Sequence, residues 1–134
     1  MRMVTAMREI KFRGLRADDF WVYGDFYTVH EKDWAVIRNI ATNERFYVYP
    51  DTVGQFTGMY DAEGREIYEG DVVRYENCIC LVVYNSTRFA SFALRKDGWA
   101  FDHYFGEAFE ASECQVIGNV HDNPNLLEVD DARD

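Results

Sequence analysis

The chain has no apolar stretch approaching the ~18 residues of a membrane-spanning helix, and its first residues lack the apolar run of a signal peptide. Cysteine is scarce as well: Cys78, Cys80 and Cys114 form an odd set with no disulfide-framework spacing. Reduced thiols in a cytoplasmic protein are the expectation, which makes the sequon Asn85-Ser86-Thr87 a coincidence. No phosphate-binding glycine loop is present, because Gly54-Gln55-Phe56-Thr57-Gly58 lacks a Lys and a following helix pattern. Repeats and low-complexity tracts are missing, and only residues 106–112 come near the length and period of a core helix. Basic residues are the minority, 14 Lys and Arg against 24 Asp and Glu. The resulting charge of -10 repels phosphate backbones and disfavours generic nucleic-acid binding.

What the chain does have is aromatic residues. Ten Phe, nine Tyr and three Trp make 16% of its 134 residues aromatic, a load suited to the half-buried surface of a pleated sheet. A chain of this length buries roughly two-thirds of its unfolded surface, enough for one unit or two small subdomains sharing a core. Charge is uneven: Arg2, Arg8, Lys11, Arg13 and Arg16 face only Glu9 near the start, while nine acidic residues and Arg133 follow position 100. The two ends are solvated surfaces of opposite sign that could pair within or between chains.

Residues 9–14 alternate, with Ile10 and Phe12 on one face and Glu9, Lys11 and Arg13 on the other, and read as a strand ending at Gly14. Trp21-Val22-Tyr23 leads into Gly24, after which residues 26–30 make a second strand. Residues 34–37 and 45–49 make two more, joined by Ala41-Thr42-Asn43-Glu44, and Pro50-Asp51 breaks the run before a short helical turn or loop. Asp61-Ala62-Glu63-Gly64 suits a type I turn with Gly64 at positive φ, pairing residues 55–60 with 65–68. Glu69-Gly70-Asp71 turns again into a strand at Val72. Residues 79–85 are nearly continuous apolar sequence, as in a central strand, and residues 89–94 and 99–105 flank the tight turn Lys96-Asp97-Gly98. Residues 114–120 form a closing strand, and Asn123-Pro124 starts a single helical turn. The first six residues and the acidic residues 128–134 are expected to be disordered.

Candidate chemistry has a plain alternative at each place. Cys78 and Cys80 share a strand face and could join Cys114 or a histidine around zinc, but the spacing fits no zinc motif and small core residues are the simpler role. No metal or cofactor is therefore expected. Glu66, Glu69 and Asp71 cluster at a turn as a potential acid–base pair, or as turn chemistry with a charged edge. A Cys114–His121 nucleophile pair is opposed by their odd separation on a strand. His30 and His103 stand in no catalytic motif. Phe12-Arg13 and Arg88-Phe89 interleave aromatic and basic residues, as single-strand binders do.

Five segments complete the reading. Met7-Arg8-Glu9-Ile10-Lys11-Phe12-Arg13-Gly14 opens the series, followed by Trp21-Val22-Tyr23-Gly24 and Thr52-Val53-Gly54-Gln55-Phe56-Thr57-Gly58. Ile67-Tyr68-Glu69-Gly70-Asp71-Val72-Val73 and Val116-Ile117-Gly118-Asn119-Val120-His121-Asp122-Asn123-Pro124 close it. In this order they resemble the YopX family of small phage and prophage proteins, over about residues 7–127. The resemblance implies a mobile-element origin and supplies no catalytic residues. Its motif positions are Trp21, Tyr23, Gly24, Gly54, Thr57, Gly58, Gly64, Tyr68, Glu69, Gly70, Asp71, Gly118, Asn119, Asn123 and Pro124. Residues 75–111 match no motif, so a ligand preference particular to this chain is expected there or within 25–50.

The expected fold is mainly β: an antiparallel subdomain over 7–56, then a hairpin and a small SH3-like barrel over 57–127, with a C-terminal helical turn. The Gly70-Asp71 turn entering a Val-rich strand is similar to the first strand of such barrels, and four more strands follow. The expected function is a non-enzymatic protein-interaction module, homo-oligomeric through an exposed apolar patch, with an unidentified protein partner. The alternatives are a barrel that binds single-stranded nucleic acid or a nucleotide, and a hydrolase-like enzyme using Glu66, Glu69 and Asp71.

Overall fold

Short runs rich in aromatic and β-branched residues produce strands through most of the computed structural model, which describes residues 9–29, 34–86, 91–106 and 110–128. The chain divides into two units, Met1–Gly58 and Met59–Asp134. The expected N-terminal extension lies outside the described residues, as does the acidic tail beyond Glu128.

The first unit holds β1 (Phe12–Leu15), β2 (Trp21–Val29), β3 (Trp34–Arg38), β4 (Arg45–Val48) and the start of β5 (Gly54–Tyr60). They form an antiparallel sheet in the order β4-β3-β2-β1-β5. Register places Phe26 opposite Ile37 and Ala35 opposite Val48. Ala35, Ile37 and Val48 are buried, and Phe12, Val22, Phe26 and Val53 pack against them as the core. Pro50–Thr52 makes one 3-10 turn, the short helical turn that was one of the two forms expected after Pro50. It returns the chain onto β1: the Leu15 amide donates to Thr52 Oγ1 at 2.9 Å, and the Thr52 hydroxyl donates to the Tyr49 carbonyl at 2.7 Å.

Gly24 was expected to interrupt the second strand, yet β2 runs through it without a break. The glycine is required by close approach. A Cβ at this position would lie 1.9 Å from the Arg38 carbonyl oxygen, and the backbone φ of +156° disfavours a side chain as well.

The second unit contains β6 (Glu66–Tyr68), hydrogen-bonded to β5, and a five-stranded antiparallel sheet. That sheet has β7 (Asp71–Tyr75), β8 (Cys78–Asn85), β9 (Ser91–Arg95), β10 (His103–Tyr104) and β11 (Cys114–Asn119) in the order β10-β9-β8-β7-β11. Val73 stands between Cys80 and Val116, and Val82 opposite Leu94. With Ile67, Ala111 and Cys114, the buried members of these rows form the core. The pairing of β7 with β11 is the contact an SH3-like barrel would have. Closure is not reached among the described residues, because β10 is only two residues long and pairs with β9 alone. The sheet is open, and the barrel expectation is corrected accordingly.

Other expectations shift in length. The strand expected over 99–105 shrinks to β10, because residues 96–102 form a longer loop. The helical period at 106–112 yields only a 3-10 turn at Ala111–Glu113, with 107–109 outside the described residues. Among the described residues no helix is long and apolar enough to cross a membrane.

Circular dichroism should be dominated by strand. Gly24→Ala should destabilise the first unit by about 1–3 kcal/mol through clash and strain. Urea unfolding read from first-unit signals measures this, and an unchanged midpoint would remove the close approach from its assigned role.

Candidate functional site

Most motif residues of the second unit converge on the ends of β7 and β11, where they do structural work. The hairpin between β5 and β6 turns at Asp61–Gly64 as expected, with the Gly64 amide donating to the Asp61 carbonyl at 3.0 Å and Gly64 at φ 82°. The Asp61 side chain then reaches further than a turn requires. Its Oδ1 accepts the amides of Glu63 and Arg65, both at 2.9 Å, and its Oδ2 accepts the Val116 amide of β11 at 2.9 Å. Two more bonds follow the same path: the Ala62 amide donates to the Cys114 carbonyl at 2.8 Å, and Arg65 Nη1 to the Val116 carbonyl at 2.7 Å. Burial pushes the Asp61 carboxyl up, but the amides of Val116, Arg65 and Glu63 outweigh it and hold the pKa below the ordinary aspartate value.

The next turn is built the same way. Tyr68 and Asp71 are buried, and the Tyr68 amide donates to Asp71 Oδ2 at 2.7 Å across half-buried Glu69 and Gly70. Gly70 has φ 95°, donates its amide to the Val82 carbonyl and accepts the Val120 amide, each at 2.9 Å. Asp71 pairs with Asn119 and Val72 with Gly118, where β11 carries a bulge. Buried Asn119 folds the chain after β11, its Oδ1 accepting the amides of His121 and Asp122, while the Asn123 amide returns to the Asn119 carbonyl. Pro124 lies exposed in the turn that follows.

The sequence's candidate chemistry is absorbed by this scaffold. Glu66 accepts the Tyr68 hydroxyl at 2.8 Å and Asp71 accepts the Tyr68 amide, so two of the three carboxylates are engaged by one tyrosine. Cys80 and Cys114 are core residues, and Cys78 packs against them. Burial, with help from the charges of Glu113 and Asp61, pushes the Cys114 thiol up to about 12, the opposite of an activated nucleophile. Five further residues of β11 also separate Cys114 from the turn that holds His121. Among the described residues no group of three or more His, Cys, Asp or Glu could hold a metal ion.

In the first unit the motif residues shape an aromatic sheet face. Trp21 is half-buried beneath the Arg13 guanidinium, 4.7 Å from the ring centroid. Arg13 is itself buried, which removes it from the phosphate contact considered above; Arg88 and Phe89 lie outside the described residues. Gly54 sits opposite Arg13, Thr57 is buried further along β5, and Gly58 has φ 85°. Tyr23, Tyr27, Trp34 and Tyr47 are 43%, 40%, 44% and 61% exposed. Register puts Tyr27 and Tyr47 on either side of buried Val36, and Trp34 meets Tyr47 with ring centroids 5.0 Å apart. On the same face Arg38 is ion-paired to Asp25 across the strands.

A second feature was not legible in the sequence beyond its turn residues. A surface cleft of about 450 Å³ is lined by Asn85, Arg95, Trp99, Phe101 and Asp102, together with residues 96–98. Asp102 accepts Arg95 through Nε and Nη2, each at 3.0 Å, and Asn85 Nδ2 at 2.7 Å. The Arg95 bond, with that of Asn85, holds the Asp102 carboxyl below its ordinary value against the opposing effect of burial. The cleft falls within the stretch that no motif covers.

The family model described as "YopX protein" matches residues 10–128. No curated protein matches the chain significantly. Among solved structures, the chain is similar to protein EF1440 from Enterococcus faecalis, with a TM-score of 0.55 and 20% identity over 90% of this chain and 99% of that one. At that identity the likeness concerns the fold.

Asp61→Asn should destabilise the second unit by about 2 kcal/mol at neutral pH, through loss of charge-assisted backbone bonds. Because the folded pKa is depressed, this stabilisation is complete above the ordinary value of 3.8 and fades as pH falls through the lower folded value. Unfolding measured against pH should therefore lose an acid-range step in the variant. Parallel wild-type and variant profiles would contradict the assignment.

Proposed function

The chain belongs to the YopX family, and on that premise we propose that it is a non-enzymatic protein-interaction module whose first partner is a second copy of itself. The observation that carries this reading is the aromatic face of the first unit. Four large rings stand at least 40% exposed on one face of an antiparallel sheet, where a soluble monomer rarely leaves such a cluster uncovered. Tyr and Trp on a rigid sheet are also the residues that carry most of the energy in protein interfaces.

The distribution of charge favours a second copy as occupant. Residues 1–58 carry eight acidic and eight basic side chains, so the first unit is neutral. Residues 59–134 carry sixteen acidic against six basic, which places the whole net charge of -10 in the second unit. Two copies meeting through second units would repel, whereas two first units meet without that cost. The Arg38–Asp25 pair adds a charge pattern that a twofold axis can complement. Stacked nucleotide strands are the less favoured occupant, because Arg13 is buried on Trp21 and Arg38 is held by Asp25. Family membership also supports an origin in a phage or prophage and work in the bacterial cytoplasm.

Sedimentation velocity from low to high micromolar protein should show a reversible dimer that salt weakens only slightly. Tyr27→Ser combined with Tyr47→Ser should weaken it by about 2 kcal/mol or more, roughly thirtyfold. A wild-type monomer at high micromolar concentration would contradict the reading. Oligonucleotides should not be retained in moderate salt, and salt-sensitive retention of single strands would replace it with the nucleic-acid alternative.

A further inference from the structure

The geometry points to a second, independent site: the cleft beside the β9–β10 loop is a binding site for the guanine base of a free nucleoside or nucleotide. Arg95 is fixed along one edge, its Nε and Nη2 both bonded to Asp102. Asp102 is itself held by Asn85, and its side chain is only 10% exposed, while that of Arg95 is 56% exposed. Among the described residues nothing takes the remaining donors, so Nη1 and the second Nη2 hydrogen form a pinned outer edge. Such an edge matches paired acceptors on a planar ligand, and guanine presents them as O6 and N7.

The rest of the lining agrees with a base and disagrees with a bare anion. Arg95 and Lys96 are balanced by Asp97 and Asp102, so the cleft has no net charge to attract phosphate. Asp97, exposed in the lining, is an acceptor of the kind that the N–H groups on guanine's other edge require. Trp99 is partly buried against the core and braced edge-on by His103 at 4.1 Å, a fixed ring at the cleft wall. Phe101 stands 77% exposed, a ring available for stacking. A volume of about 450 Å³ accommodates a nucleoside.

An NMR titration of the full chain tests this, using the guanosine, adenosine, cytidine and uridine monophosphates and inorganic phosphate as probes. The Arg95 Nε–H, the Trp99 indole N–H and the amides of residues 96–101 should shift saturably with the guanosine probe, with affinity at least about tenfold above the other three. Arg95→Gln should abolish the shifts and Arg95→Lys should not restore them, because a lysine cannot donate along a fixed edge. Phe101→Ala, at an exposed position that folding does not depend on, should weaken binding while leaving the spectrum dispersed. Asp102→Asn should release the Arg95 Nε–H resonance toward that of a solvated arginine and weaken binding with it. Equal affinity for all four nucleotides, the same shifts with phosphate alone, or no shifts at millimolar probe would each overturn the proposal.

Discussion

A single buried carboxylate organises the second unit. Asp61 accepts three backbone amides, two from its own turn and one from Val116, which lies 55 residues along the chain. An ionised carboxylate has acceptor capacity enough for all three, and each bond to it is stronger than a bond to a neutral oxygen. Among the described residues no ladder of strand pairing joins the hairpin to the last strand, and Asp61 fastens them together with the Ala62 and Arg65 bonds to the Cys114 and Val116 carbonyls. β11 in turn covers β7, and the turns at Gly70 and Asn119 follow from that pairing. Tyr68, Gly70, Asp71 and Asn119 all spend polar atoms on the two turns beside this pairing.

Binding surfaces are best sought where side chains have geometry without an evident structural use. The first unit supplies exposed rings over a sheet whose opposite face is the core. The second supplies a guanidinium locked along one edge and open along the other. The two features differ in chemistry as the units differ in charge: a neutral aromatic face fit for a protein surface, and a charge-balanced cleft fit for a planar polar molecule.

Much of the fold was legible because local rules decided it. The aromatic and β-branched run Trp34-Ala35-Val36-Ile37 reads as a strand whichever face is buried, and Asp61-Ala62-Glu63-Gly64 could hardly be other than a turn. Three things were not legible, each for a non-local reason. Gly24 reads as a strand end, but its reason lies in the Arg38 carbonyl of a neighbouring strand. Barrel closure depends on the partner of β10, which no strand count reveals. The cleft depends on Asn85, Arg95 and Asp102 meeting across 17 residues, with no motif to announce them. Arg13 shows the opposite error: it looked available as a surface cation, and the sheet buries it over Trp21.

The central claim is that the hairpin and β11 are one cooperative unit held by Asp61. Native-state amide hydrogen exchange tests it most directly, because the amides of Glu63, Arg65 and Val116 report the three bonds individually. The account predicts that all three exchange slowly, with the same opening free energy as the β7 and β8 amides of the core. Rapid exchange of Glu63 and Arg65 while Val116 stays protected would mean that the turn opens on its own, and would contradict it.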